Sequence, residues 1–121
     1  AVENSVREMY PDEQILVVFQ PHLFSRTRDF VDDFAAALTK FDEVLLLDIY
    51  PAREIPIAGV DSNWLLGKIE NRHKKLTQNK NLVKDIKNSS AKVVVMLGAG
   101  DIGVLINRVT NELLITLSNE T

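Results

Sequence analysis

Two stretches of the sequence combine residue types that bind anions. Residues 19–28, FQPHLFSRTR, bring His22, Arg26 and Arg28 together, and guanidinium groups bind carboxylates and phosphates through paired N–H donors. Residues 98–103, GAGDIG, are rich in glycine, so their backbone N–H groups can approach an anion at the start of a helix. The structural alternatives are a solvated basic turn for the first stretch and a tight turn that needs glycine for the second.

Apolar patterning places the first stretch between a strand and a helix. The unbroken run 15–19 predicts a strand buried on both faces, and Pro21 ends it because proline cannot donate to a strand ladder. Aromatic and aliphatic residues then recur at helical spacing over 30–41. We expect Ser25 or Thr27 to cap that helix.

The rest of the chain continues this alternation of strands and helices. It predicts strands near 43–49 and 92–97, a short edge strand near 74–77, and helices near 2–9, 61–69, 82–86 and 102–113. Such an order predicts an α/β fold, a three-layer α/β/α Rossmann-like open sheet that is mostly parallel. Loops 20–26, 48–54 and 98–101 should gather at the carboxyl edge of the sheet, where open α/β sheets bind ligands.

Composition narrows the class of protein. The 121 residues, 45% of them hydrophobic, match one domain with a real core. A net charge of −3 predicts no general attraction to nucleic acid or to an anionic membrane. The absence of cysteine excludes disulfides and thiolate metal sites and fits a cytoplasmic location. No apolar run approaches the ~20 residues of a membrane span.

Several common sites do not fit the sequence. A dinucleotide site wants G-x-G-x-x-G after the first strand and an acidic residue ~20 positions on, whereas 98–103 follows the last predicted strand and Asp101 would repel a pyrophosphate. Asp48 suggests a phosphorylated receiver domain, but the acidic pair and the lysine of that class are missing. There is no P-loop sequence, and His22 and His73 are too far apart for a metal signature.

Four motifs taken together resemble one enzyme family. The first motif lies in residues 19–34 and contains FQPH, SRTRDF and DF, and the second is YPARE at 50–54. The third lies in residues 56–62 and contains PI and GVDS, and the fourth is GAGDI at 98–102. In order and spacing they resemble the C-terminal domain of bacterial UDP-N-acetylmuramate–L-alanine ligases, members of the Mur ligase family. The resemblance covers nearly the whole chain.

The resemblance implies a function in peptidoglycan and cell wall biogenesis. Such ligases have three domains, and residues 1–121 would be the single, C-terminal one, which closes over L-alanine and ATP; the UDP-N-acetylmuramate-binding and central ATPase domains would lie outside this chain. ATP and Mg would be cofactors of the full-length enzyme, and this segment would bind neither of them tightly. The segment would also contact the central ATPase domain. No catalytic residue and no metal ligand is assigned here. The substrate-binding residues implied are His22, Arg26, Gly98, Ala99, Gly100 and Asp101, with Arg28 and Tyr50 as further candidates.

Two departures from the family pattern bear on the site. Many relatives carry arginine directly after the motif histidine, but this chain has Leu23, so more of the carboxylate binding should fall to Arg26. The family's Asp-Tyr-x-His-His-Pro segment, which contacts nucleotide, would precede Ala1, so we expect the isolated chain to be inactive. The alternative is a free-standing α/β binding or interaction module.

Overall fold

The computed structural model of the chain describes residues 2–98, 106, 107, 109 and 110. Its elements are α1 (Val2–Met9), β1 (Ile15–Gln20), α2 (Phe24–Asp29), α3 (Val31–Thr39), β2 (Glu43–Leu46), α4 (Ser62–Lys68), β3 (Lys74–Leu76), α5 (Leu82–Lys87) and β4 (Val93–Gly98). A short 3-10 turn, Asn79–Asn81, leads into α5. Within these residues, no helix is long and apolar enough to cross a bilayer.

The described strands form one sheet in the order β3-β2-β1-β4, and every neighbouring pair is parallel. Val17 of β1 pairs with Val44 on one side and with Val95 on the other. The predicted parallel α/β fold is confirmed, and β3 is the expected edge strand. Strand β2 ends at Leu46 rather than near 49, although the Leu47 N–H group still donates to the Phe19 carbonyl and His22 forms an isolated parallel bridge with Tyr50.

Successive side chains of β1 enter two separate cores, because neighbouring residues of a strand point to opposite faces. Ile15 and Val17 pack with α3 and α4 on one face of the sheet. Leu16 and Val18 pack with α5 and with Val109 on the other face. Helices therefore cover both faces, as the three-layer prediction requires. Burying each such aliphatic side chain contributes roughly 1.5–3 kcal/mol.

Strand β4 is less buried than β1, although its sequence is an equally unbroken apolar run. Residues 93–97 are only half-buried, because β4 lies at the end of the described strand order, with β1 on one side. The last predicted helix is described only in part: Val109 is buried as expected, but Ile106 is 38% exposed and does not join the core. The other members of its predicted stripe, Ile102, Leu105 and Leu113, lie outside the described residues.

The single helix predicted after β1 is two helices, which meet at Phe30 with φ −119° and ψ 20°. The prediction that Ser25 or Thr27 caps it is wrong, because both residues lie inside α2, which follows Leu23. The Thr27 hydroxyl donates to the Leu23 carbonyl at 2.8 Å, and the Ser25 hydroxyl donates to the Glu54 carboxylate. Both hydroxyls thus serve contacts other than an N-cap.

A buried carboxylate joins α5 to the end of β3. Asp85 is 9% exposed and accepts hydrogen bonds from Thr77 Oγ1 at 2.5 Å and from Lys75 Nζ at 3.0 Å. Burial by itself would raise the pKa of Asp85, but these two hydrogen bonds, together with the charges of Lys75 and Lys84, outweigh burial, and the pKa lies below its ordinary value of 3.8. The carboxylate is therefore held in its charged form.

Replacing Asp85 with alanine should destabilise the chain by about 1–3 kcal/mol at pH 7, because the buried Thr77 hydroxyl loses its main acceptor. A carboxylate whose pKa is lower in the folded state than in the unfolded state stabilises the chain fully at a pH above its unfolded-state pKa. It no longer stabilises the chain at a pH below its folded-state pKa. The difference between the two proteins should therefore shrink as the pH falls below 3.8. Equilibrium unfolding in denaturant at several pH values measures it. Asp12→Ala, at an exposed position, is the control, and equal losses in both variants would contradict the argument.

Candidate functional site

The strand order creates a crevice between the ends of β1 and β4. From β1 the chain passes to β2 and β3 on one side and then returns to form β4 on the other side. Loops leave two neighbouring strands in opposite directions at such a topological switch point, which is where open α/β sheets bind ligands. We call the space there the β1–β4 cleft. It has a volume of about 250 Å³ and is lined by Phe19, Gln20, His22, Arg26, Phe34 and Gly98.

Three of the residues predicted for the site meet in this cleft: His22, Arg26 and Gly98. Arg26 is exposed, and its guanidinium group forms no ion pair with any residue in the described part of the chain. A cation without a partner at the mouth of a cleft is available to an anionic ligand. The remaining predicted residues of the glycine-rich loop, Ala99, Gly100 and Asp101, lie outside the described residues.

Arg28 does not line the β1–β4 cleft. It is two residues beyond Arg26 on α2, and a helix turns about 200° over two residues. Its Nε atom lies 2.9 Å from Asp29 Oδ1, and the two side chains are half exposed. The hydrogen bond to Asp29 raises the pKa of Arg28. This guanidinium group therefore has a partner on its own helix, unlike that of Arg26.

Tyr50 stabilises the loop that carries His22. Its N–H group donates to the Pro21 carbonyl at 2.8 Å, and its carbonyl accepts from the Leu23 N–H group at 2.9 Å. The rings of His22 and Tyr50 stack, with centroids 6.0 Å apart and an angle of 26° between their planes. These bonds extend the parallel pairing of β1 and β2 beyond the strand ends. Tyr50 supports the site and itself lines a neighbouring cleft.

Glu54 joins the loop after β2 to the first turn of α2. Its carboxylate accepts from the Ser25 hydroxyl and from the Ser25 N–H group, the latter at 3.1 Å. The Ser25 side chain and then its N–H group lower the pKa of Glu54. Because Ser25 directly precedes Arg26, this contact fixes the backbone from which the Arg26 side chain extends.

The backbone of Leu23 is strained. Its φ of +69° and ψ of 138° are unusual for a residue with a side chain, and such conformations cost about 1–3 kcal/mol. Hydrogen bonds hold it in place: its N–H group donates to Tyr50, and its carbonyl accepts from the N–H and hydroxyl groups of Thr27. Strain of this kind concentrates at functional sites, and here it sets the turn between His22 and Arg26.

Gly98 closes the other wall of the cleft. It pairs with Gln20 in the parallel ladder, and its φ is +141°. A Cβ atom at this position would lie 2.5 Å from the Gln20 carbonyl oxygen, so only glycine fits. Gly98 therefore needs the backbone freedom of glycine as the last residue of β4, while the predicted turn over 99–101 lies outside the described residues.

The part of the chain that the structure describes contains no group of three acidic or histidine side chains that could hold a metal ion. His73 lies just before β3 and is exposed, far in sequence from His22.

Comparison with known proteins identifies relatives at high identity. The UDP-N-acetylmuramate–L-alanine ligase of Flavobacterium psychrophilum is 58% identical over 113 residues, which are 93% of this chain and 25% of that protein. The Christiangramia forsetii ligase is 61% identical over 114 residues, 94% of this chain and 25% of the relative. The Porphyromonas gingivalis ligase is 50% identical over 107 residues, which are 88% of this chain and 24% of that protein. No family model matches the chain.

The resemblance to UDP-N-acetylmuramate–L-alanine ligases is confirmed. The chain spans about a quarter of the length of the curated relatives that it matches. A free-standing module is not favoured, because the similarity to these ligases covers nearly the whole chain.

The predicted substrate-binding residues do not include every residue of the cleft. Gln20, Phe19 and Phe34 also line the β1–β4 cleft. The rings of Phe19 and Phe34 lie in contact, with centroids 5.4 Å apart and an angle of 50° between their planes, and form an apolar part of the cleft lining. Gln20 carried one signal in the sequence: it is the polar residue that ends an otherwise apolar strand.

Proposed function

We propose that this chain is the C-terminal, amino-acid-binding domain of a bacterial, cytoplasmic ligase that joins L-alanine to UDP-N-acetylmuramate at the expense of ATP. The observation that supports this most is the unpaired guanidinium group of Arg26 at the switch-point cleft, beside His22 and Gly98. High identity to ligases of that name supports it independently.

The chemistry of the cleft suits a small amino acid. Arg26 presents donors only and would bind the carboxylate of alanine, where a charge-assisted hydrogen bond is stronger than a neutral one. Phe19 and Phe34 offer apolar surface to the methyl group. A volume of about 250 Å³ is enough for such a ligand.

The other parts of the reaction would belong to the other domains. The sequence has no P-loop, so ATP phosphates and their Mg²⁺ ion would be held by the central domain. In the reaction implied by the family, the muramoyl carboxylate is activated as an acyl phosphate, and the alanine amine attacks it. This chain would position the amine for that attack, which lowers the barrier by orientation.

A truncation experiment tests this proposal. The full-length ligase should release phosphate only when alanine and UDP-N-acetylmuramate are both present with ATP. A version that lacks these 121 residues, and the 121 residues alone, should release none above a blank. Alanine-dependent phosphate release by the truncated version, or ATP hydrolysis by the isolated chain, would contradict the assignment.

A further inference from the structure

Gln20 has a buried oxygen without a partner. It is the last residue of β1 and is 5% exposed. Its side-chain oxygen, Oε1, is buried and accepts no hydrogen bond from any residue that the structure describes. An acceptor left in this state lowers the stability of the folded chain. Because native proteins satisfy nearly all buried polar groups, the exception needs a reason.

The position of Gln20 explains why its oxygen is left without a partner. It lines the β1–β4 cleft together with His22, Arg26 and Gly98, and it also lines the adjoining cleft beside Tyr50. Its amide therefore lies at the boundary between two open spaces at the switch point. A protein with no use for the amide could place an apolar residue there, as at Ile15 to Phe19 of the same strand.

Alanine has two polar groups, and the residues assigned so far serve one of them. Its carboxylate is an acceptor, which suits the donor-only guanidinium group of Arg26. Its amine is a donor and needs an acceptor. A carboxylate in that role would favour the protonated, non-nucleophilic ammonium form. A neutral amide oxygen accepts the N–H bond with a smaller effect on that equilibrium.

We propose that Gln20 is a substrate-binding residue whose amide oxygen accepts a hydrogen bond from the amine of the incoming amino acid. This inference rests on the proposed function and extends it to a residue that is not among the predicted substrate-binding residues. The oxygen is buried in this structure, and a turn about the last side-chain torsion, which is broad and two-fold, would bring it to the cleft that Gln20 lines. The unpaired oxygen is thus kept for the ligand at a cost in stability.

The Gln20→Met variant of the full-length ligase separates binding from folding. Methionine has a similar length and no amide, so the thermal midpoint should stay the same or rise, because an unpaired buried acceptor is removed. In the same variant kcat/KM for alanine should fall about five- to thirtyfold, as for the loss of one hydrogen bond. Gln14→Met, at an exposed position before β1, should change neither quantity. A lower midpoint would show that the amide has a structural role, and an unchanged kcat/KM would show that it does not bind substrate; either result overturns the inference.

Propionate distinguishes this inference from the proposed function. It has the carboxylate and methyl group of alanine but no amine, and its inhibition constant against alanine reports binding without that contact. Gln20→Met should leave the propionate constant unchanged, whereas Arg26→Ala should weaken propionate and alanine together. Equal weakening of both ligands by Gln20→Met would overturn the role of the amide. An Arg26→Ala variant that binds both ligands normally would instead refute the assignment of the cleft.

Discussion

Replacing Arg26 with alanine in the full-length ligase should lower kcat/KM for L-alanine about tenfold to a hundredfold or more. A hydrogen bond to a charged group is worth roughly 1.5–3 kcal/mol, and a two-pronged guanidinium contact lies at the upper end. Arg26 carries this expectation alone, because it is the arginine that lines the cleft and the residue directly after His22 is the apolar Leu23. Steady-state kinetics with alanine as the varied substrate measures the effect.

Arg28→Ala is the matched control for that experiment. It removes the same type of side chain from the same helix, two positions away, but its guanidinium group already pairs with Asp29. We expect its kcat/KM for alanine to stay within about twofold of wild type, since exposed ion pairs contribute little. Both variants should fold, because both arginines are exposed. Equal losses for the two variants would mean that general positive charge, rather than a specific contact at Arg26, drives binding.

The fold was predictable because apolar periodicity is a local signal. The run that became β1 and the pattern of α3 depend on nearby residues alone. The cap of α4 was equally local: the Trp64 N–H group donates to the Asp61 carboxylate at 2.8 Å. Strand order is different, since β1 meets β4 across more than 70 residues of sequence. No local pattern encodes that pairing, so the position of the cleft between those strands required the structure.

The site was predicted in part for the same reason. His22 and Arg26 were found because cationic residues after a strand are visible in the sequence. The contact between Glu54 and Ser25 crosses 29 positions, and it replaces the helix cap that a local rule assigns to Ser25. Leu23 reveals its strain only through its observed φ of +69°. Tertiary contacts thus decided how the loop is held, whereas local chemistry decided which residues it presents.

Replacing Gly98 with alanine should destabilise the chain by at least about 2 kcal/mol, because a positive φ alone costs about 1–3 kcal/mol in a residue with a side chain. Its φ is +141°, and the new Cβ atom would lie 2.5 Å from the backbone oxygen of Gln20. That oxygen belongs to a paired strand and cannot move aside as a flexible side chain would. Strands β1 and β4 would have to separate at their ends, where the cleft is. Denaturant unfolding measures the loss, and the KM for alanine should rise in the full-length ligase.

Two other glycines separate the causes of that effect. Gly59 has a φ of +79° but open space around it, so Gly59→Ala should show backbone strain alone, about 1–2 kcal/mol. Gly67 lies in α4 with no neighbour within 4 Å of a new Cβ atom, and Gly67→Ala should stabilise the chain by about 0.5–1 kcal/mol, since alanine is the better helix former. We therefore expect the order Gly67→Ala, wild type, Gly59→Ala, Gly98→Ala from most to least stable. A Gly98→Ala chain as stable as the Gly59→Ala chain would mean that β4 does not press against Gln20, and the wall of the cleft would have to be placed elsewhere.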